Sequence, residues 1–472
     1  MSAIEHLTPA AFAPAIARAL REGERFGGAW ASGTGRDLSW RALLVSPEQA
    51  QARVISCEVP DGSMQSIVGL VEAAGWDERE AHDLYALHFA GHSPLRALAT
   101  HTDDPRRWMT PVSGDGVHQV AVGPIHAGVI ESGHFRFHVV GERILAMDPR
   151  LFYKHRGLEH AAEGHDIDSA QRYAQRACAA CAVANTLAYA HAIEDASGLA
   201  ADRQLRVTRT ALLELERLYN HLHDISAICA GAGFAPGTMA FAALKDRAQQ
   251  INARAFGHRF LFGTVTVGRG AVELDGSTTD ATRAALRELH ADTAAAWRDL
   301  EFAGSLQARL DGIGVLGHDD ALRLGAVGPA ARATGIRDDL RSADPRLAYD
   351  GFAPAVLVEP AGDVAARLRL RAIELETAYE LLEGLLDRPL AAGTTAANGG
   401  GPDQLGVGRV ESPRGATTCV VELAGARVTR LHLRTASYAN WPALAHATVD
   451  NLLPDFPLIN KSFELCYACV DR

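Results

Sequence analysis

A chain of 472 residues with 47% apolar and 22% charged side chains is long enough for two domains and can bury a large core. Its formal net charge of -11 argues against nucleic acid or an anionic membrane surface as the main partner. No run of about 18 consecutive apolar residues is present to span a bilayer.

The opening, MSAIEHLTPAAFAPAIARALREGERF, lacks a basic stretch followed by an apolar run and a cleavage site, so it reads as an ordinary helix with the cytoplasm as the default compartment. Residues 1–100 have the pattern of a small α+β domain. SWRALLVS and ARVISCEV are β-rich runs, and SIVGLVEAAGW has the spacing of a short amphipathic helix. HTDDPRRWMTPVSGDG interrupts all periodicity with Pro, Gly and Asp, which marks residues 101–118 as a linker.

Residues 119–472 read as a second, mainly helical domain. It opens with β-rich sequence, QVAVGPIHAGVIESGHFRFHVVGERILAMD, and then turns helical. One helix is expected from about Asp168, with Asp168 and Gln171 spaced as a capping box, to the Ala-Ser-Gly at 196–198. A second carries the stripe Leu212, Leu215, Leu218, Leu222 and Ile225 and stops at Gly231 and Gly233. A third begins near Asp363, carries Leu368, Ile373, Leu375, Tyr379 and Leu382, and ends before Pro389. AAGTTAANGGGPDQLGVGRV has no Gly-Lys-Ser/Thr and reads as a flexible connector. The expected fold is an α+β N-terminal domain followed by a mainly α helical bundle with a β-rich edge.

Seven cysteines are too few, and odd in number, for a disulfide framework. Cys57, Cys229 and Cys419 stand alone in apolar sequence and read as small buried hydrophobes. The other four form two Cys-x-x-Cys pairs, Cys178/Cys181 and Cys466/Cys469. The first pair lies in RYAQRACAACAVANTLAYAHAIE, where a continuous helix would place both sulfurs on one face. Four thiolates suit zinc, an iron–sulfur cluster or nickel, and spacing alone does not choose among them.

The wording around the pairs carries a resemblance. RACAAC resembles the first cysteine motif of nickel–iron hydrogenase large subunits, Arg-x-Cys-Gly-x-Cys, and ELCYACVDR resembles their C-terminal motif. GPIHAGVIESGHFRFHV, YKHRGLEH, LELERLYNHLHDI, GHRFLFGTVTVGR, GPAARATGIRDDLR, VESPRG and RTASYANWPAL are similar, in order, to blocks of the energy-converting (group 4) hydrogenases of the formate hydrogenlyase kind. The same blocks resemble the quinone-pocket subunit of complex I, and GWDEREAHDLYALHFAGHSPLR resembles the peripheral subunit beside it.

The resemblance implies a nickel–iron hydrogenase large subunit fold and a nickel–iron centre held by Cys178, Cys181, Cys466 and Cys469. Cys181 and Cys469 would bridge to an iron carrying cyanide and carbonyl ligands. Arg414 would lie over the metals, Glu131 and Glu464 would serve proton transfer, and His126, His155 and Arg156 fall in matching blocks. No cysteines remain for an iron–sulfur cluster in this chain, so the implied partners are an iron–sulfur small subunit, antiporter-like membrane subunits, and a formate dehydrogenase or other electron-donor module. The implied location is the inner face of the cell membrane, held there by those partners. The chain departs from the motifs at Gln175, Ala179, Asn185 and Glu464-Leu465. Two other readings accommodate the cysteines: a complex I-like quinone-reactive or coupling subunit without hydrogen chemistry, and a zinc-stabilised scaffold.

Overall fold

The computed structural model describes residues 4–46, 52–125, 131–350, 354–397 and 405–472. It is a mixed α/β structure with sheets towards the N-terminus and long helices in the middle. The N-terminal sheet has the spatial order Ile4–Leu7, Ala52–Glu58, Ser39–Val45, Arg25–Ser32, with only the first pair parallel. Helix Pro9–Arg21 buries Phe12, Ile16 and Ala19 in the same core as Trp40, Ile55 and Phe89.

The expected helix over SIVGLVEAAGW is displaced. Its first half is a turn, and the helix proper is Gly75–Tyr85. The cause is Glu78, fully buried, whose carboxylate accepts from Ile67 N at 2.7 Å and Ser66 Oγ at 2.8 Å and holds that backbone out of helical geometry. The stretch 101–118 is packed against the rest: Trp108 and Met109 are buried, and Asp148 accepts from Thr110 N at 2.9 Å and Thr110 Oγ1 at 2.8 Å. A three-stranded antiparallel sheet follows, Val117–Val122, His134–Val140 and Arg143–Arg150. Its Phe135 and Phe137 pack on Trp441 and Phe456.

The single helix expected from Asp168 to residue 196 is two helices, Ile167–Gln175 and Ala182–Ala196. The N-cap is Asp166, accepting from Ser169 N at 2.9 Å, and not the Asp168/Gln171 pair. Gln171 instead reaches across to Val265 O at 3.0 Å and Val267 N at 3.2 Å. The break arises because Glu216, from another helix, accepts from Val183 N at 2.6 Å and Ala184 N at 3.0 Å and so supplies a new N-terminus with its missing acceptors. The apolar stripe of the second expected helix lies in Arg203–Gly231, and the third is Val364–Leu385 with Asp363 as its N-cap.

The segment read as a connector ends in a strand. Leu405–Ser412 is buried along its whole length and pairs antiparallel with Gly415–Ala424, which pairs with Arg427–Arg434. Residues 398–404 of that segment lie outside the described residues. This sheet packs on helix Ala182–Ala196, while Leu405, Val407 and Val420 share a core with Trp30, Leu43 and Val54 of the N-terminal sheet. Gly408 makes the close approach possible, because a Cβ there would lie 1.8 Å from Ala188 O. Gly408→Ala is therefore expected to cost about 1–3 kcal/mol through forced separation of strand and helix, read as a lower urea midpoint.

Beneath this sheet lies a fully buried ionic network. Arg332 donates to Glu374 at 2.7 Å, Glu411 at 2.9 Å and Asp338 O at 2.8 Å. His221 joins Glu374 at 2.8 Å, and Tyr349 donates to Glu214 at 2.6 Å. A second polar layer joins the N-terminal sheet and helix Gly75–Tyr85 to the rest: Arg434 pairs with Asp77 at 3.3 Å, Arg472 with Glu80 at 2.5 Å, Arg25 with Asp338 at 2.9 Å, and Arg41 with Glu422 at 2.6 Å.

Candidate metal centre

The first cysteine pair occupies the break between helices Ile167–Gln175 and Ala182–Ala196, not a helix face, with Cys181 at the N-cap of the second. Helix Arg203–Gly231 holds this turn. Besides the Glu216 contacts, Tyr219 Oη donates to Ala180 O at 3.1 Å and Asn220 Nδ2 donates to the same oxygen at 2.8 Å. Burial pushes the Glu216 carboxyl up to about 8, against the pull of its two backbone donors.

The second pair follows helix Phe456–Phe463, which Glu464 ends in a left-handed conformation at φ 48°. Cys466 N donates to Ser437 Oγ at 3.0 Å, and Thr435 Oγ1 donates to Cys469 O at 3.0 Å. Between them the Tyr467 ring packs against Trp441 and Phe135. A Cβ at Gly133 would lie 2.4 Å from that ring, so glycine lets the 131–133 loop close onto the second pair. Glu131 there accepts from Ala468 N at 2.6 Å. Part of its side chain is open to solvent, but burial at the contact and the nearby Cys466 raise its pKa.

The two pairs meet. Cys178 Sγ and Cys466 Sγ are 3.0 Å apart, and the sulfurs of Cys178, Cys181 and Cys469 lie within 4.8 Å of one another. Four thiols this close cannot all ionise, so they share charge unequally. The thiols of Cys178 and Cys469 hydrogen-bond to Cys181 and, with Arg414, hold it down to about 6. Cys466 is pushed up to about 12, chiefly by its contact with Cys178, and Cys469 is raised as well.

Arg414 is 5% exposed and donates through Nη1 to Asn220 Oδ1 at 2.7 Å, through Nη2 to Asp224 Oδ1 at 3.2 Å, and through Nε to Glu464 O. Burial opposes its charge, but Asp224 and the Cys181 and Cys466 sulfurs outweigh that and raise its pKa. The Glu464 carboxylate faces outward to His223 Nε2 at 3.2 Å, and His223 is half-exposed. His155 and Arg156 act on the surroundings: His155 Nδ1 contacts Asp471 O at 2.6 Å, and Arg156 donates to Arg176 O and Ala177 O at 3.1 and 2.9 Å. His126 lies outside the described residues.

Isolated Cys57, Cys229 and Cys419 are buried away from this cluster, and burial raises the pKa of each. Glu216, Asn220, His223 and Asp224 were not singled out from sequence. Their signal is a set of polar residues at spacings of four, three and one, interleaved with the leucine stripe of the same helix.

The residues present fit a thiolate-bound metal. They offer four soft donors in a nearly dry cage, with a cation beside them to offset the negative charge that four thiolates bring. Asn185, one helical turn beyond Cys181, is fully buried, and neither its Oδ1 nor its Nδ2 has a partner among the described residues, which leaves the amide to hydrogen-bond to a ligand or thiolate of the site.

Comparison with known proteins agrees with this architecture. Residues 9–115 match the family described as respiratory-chain NADH dehydrogenase, 30 Kd subunit, and residues 233–400 and 393–472 match its 49 Kd subunit counterpart. Formate hydrogenlyase subunit 5 of Escherichia coli (strain K12) is 31% identical over 437 residues, covering 86% of this chain and 76% of that protein. The carbon monoxide-induced hydrogenase of Rhodospirillum rubrum is 28% identical, covering 75% of this chain and 99% of its own length. A chain of the membrane-bound sulfane sulfur reductase, an archaeal respiratory membrane complex, shares the fold at a TM-score of 0.70 and 24% identity, covering 77% of this chain and 100% of that one.

These relatives are oxidoreductase subunits. The chain belongs to the family of group 4 hydrogenase large subunits of the formate hydrogenlyase type, which is related to the 30 Kd and 49 Kd subunits of respiratory-chain NADH dehydrogenase, here fused in one polypeptide. Among the described residues no helix is long and apolar enough to cross a membrane.

Proposed function

We propose that this chain is the catalytic subunit of a membrane-associated nickel–iron hydrogenase complex. The observation that carries this reading is the convergence of two distant Cys-x-x-Cys pairs on one buried cage with the Arg414 guanidinium beside it. Cys178, Cys181, Cys466 and Cys469 would hold a nickel–iron centre, which when bound supplies the reversible conversion of H2 to protons and electrons. Arg414 sets a fixed positive charge over the sulfurs and lowers the cost of charge developing there. Glu464 and His223 form a pair from the cage outward that can hold and pass a proton, and Glu131 lies on the other side of the second cysteine pair. Electrons would leave through an iron–sulfur small subunit. Residues 1–100 and 119–472 would act as two modules joined by 101–118, docked with partner subunits at the inner face of the membrane.

The departures at Ala179, Asn185 and Glu464-Leu465 favour a second reading, a complex I-like subunit that keeps the fold without hydrogen chemistry. One experiment separates the two: metal analysis and infrared spectroscopy on the complex purified from its native host. The proposal expects one nickel per chain and iron with cyanide and carbonyl bands. Intact complex lacking nickel and those bands would establish the second reading, and zinc in the cage would establish a scaffold.

A further inference from the structure

Asn220 lies inside helix Arg203–Gly231 at 1% exposure, and every polar atom of its side chain is engaged. Its Nδ2 donates to Ala180 O and to Glu216 O, each at 2.8 Å, and its Oδ1 accepts from Arg414 Nη1 at 2.7 Å. A buried asparagine bonded to the carbonyl one turn back in its own helix is an ordinary satisfied core group, and one N–H suffices for that. The other two contacts go elsewhere. Ala180 lies between the cysteines of the first pair, and Arg414 continues through Nε to Glu464 O, two residues before Cys466. One amide and one guanidinium thus connect the two halves of the cage.

We infer that Asn220 is a positioning residue that fixes the first cysteine turn relative to Arg414. The inference rests on the reading of the four cysteines as a metal site. The position demands an amide: it must donate to a carbonyl on one side and accept from a guanidinium on the other. A carboxylate only accepts, and an aliphatic side chain does neither. Flipping the amide would turn N–H groups towards the guanidinium and oxygen towards a carbonyl, so its orientation is fixed by its neighbours. Tyr219 Oη also bonds Ala180 O, at 3.1 Å, and Glu216 still caps the following helix. Loss of Asn220 therefore loosens the register of the turn without releasing it.

The test uses the full chain, reduced and freed of metal, titrated with cobalt(II) alone and followed by thiolate-to-cobalt absorption. Asn220→Asp keeps the oxygen facing Arg414 and loses the donors, whereas Asn220→Leu loses both. Both variants are expected to bind cobalt roughly tenfold to hundredfold more weakly than the parent, with a shifted absorption band. Leu213→Ala, a core truncation on the same helix, serves as the control for lost stability and is expected to bind as the parent does. A folded Asn220 variant with the parent's affinity and spectrum overturns the inference, as does a parent chain that takes up no cobalt. Asn220→Asp decides the matter where Asn220→Leu does not fold. Cobalt reports on the thiolates whichever metal is native, so a native complex without nickel would sink the proposed function and leave this inference standing.

Discussion

Cys181→Ser is expected to abolish nickel retention and H2 turnover while leaving the fold intact. Serine is nearly isosteric with cysteine, and the side chain sits at a helix N-cap, a position serine favours. What changes is the donor. The Cys181 thiol is held down to about 6 by its cysteine neighbours and Arg414. A serine hydroxyl does not ionise there, and its hard oxygen is a poor match for nickel. Metal analysis of the purified complex should show nickel lost, with a melting temperature close to the parent's. Cys419→Ser, a buried cysteine outside the cluster, should lose some stability and keep its nickel. Nickel and cyanide bands surviving in the Cys181 variant would mean that the cage is not the metal site.

Arg332→Met is expected to produce the largest loss of stability, about 3–5 kcal/mol in urea unfolding. Arg332 is 1% exposed and neutralises Glu374 and Glu411. Burial already lifts Glu411 to about 7, with Asp339 pushing the same way and Arg332 opposing them. Removing the cation leaves those carboxylates buried with fewer partners, the costly half of breaking a buried pair. Adding Glu374→Gln and Glu411→Gln to Arg332→Met should recover part of the loss. No recovery would show that packing, and not stranded charge, sets the cost.

Much of this was legible in the sequence because it is local. The stripe from Leu212 to Ile225 and the Asp363 cap give their helices directly, and the two Cys-x-x-Cys spacings mark the four cysteines that the fold brings together. The break at the first pair was not legible. ACAACAVAN is alanine-rich, the best helix-forming composition, and contains no Pro or Gly to interrupt it. The interruption comes from Glu216, distant in sequence, which offers its carboxylate to Val183 and Ala184. LGVGRV misled for the same reason. Its glycines look like connector residues, and only the Ala188 carbonyl behind Gly408 shows that they are there for contact with a helix. Asn220 was hidden because its meaning depends on Arg414, which arrives from a loop far along the chain.

The polar layer that joins the N-terminal sheet and helix Gly75–Tyr85 to the rest has a consequence for the chain as a covalent object. Asp77 and Glu80 meet Arg434 and Arg472, Arg25 meets Asp338, and Trp30 stacks on His432. Contacts of that kind, distributed over a broad face, are what hold separate polypeptides together, so the peptide bonds of 101–118 are not the main tether. A protease nick in that stretch should yield two fragments that elute together in high salt and part only in denaturant.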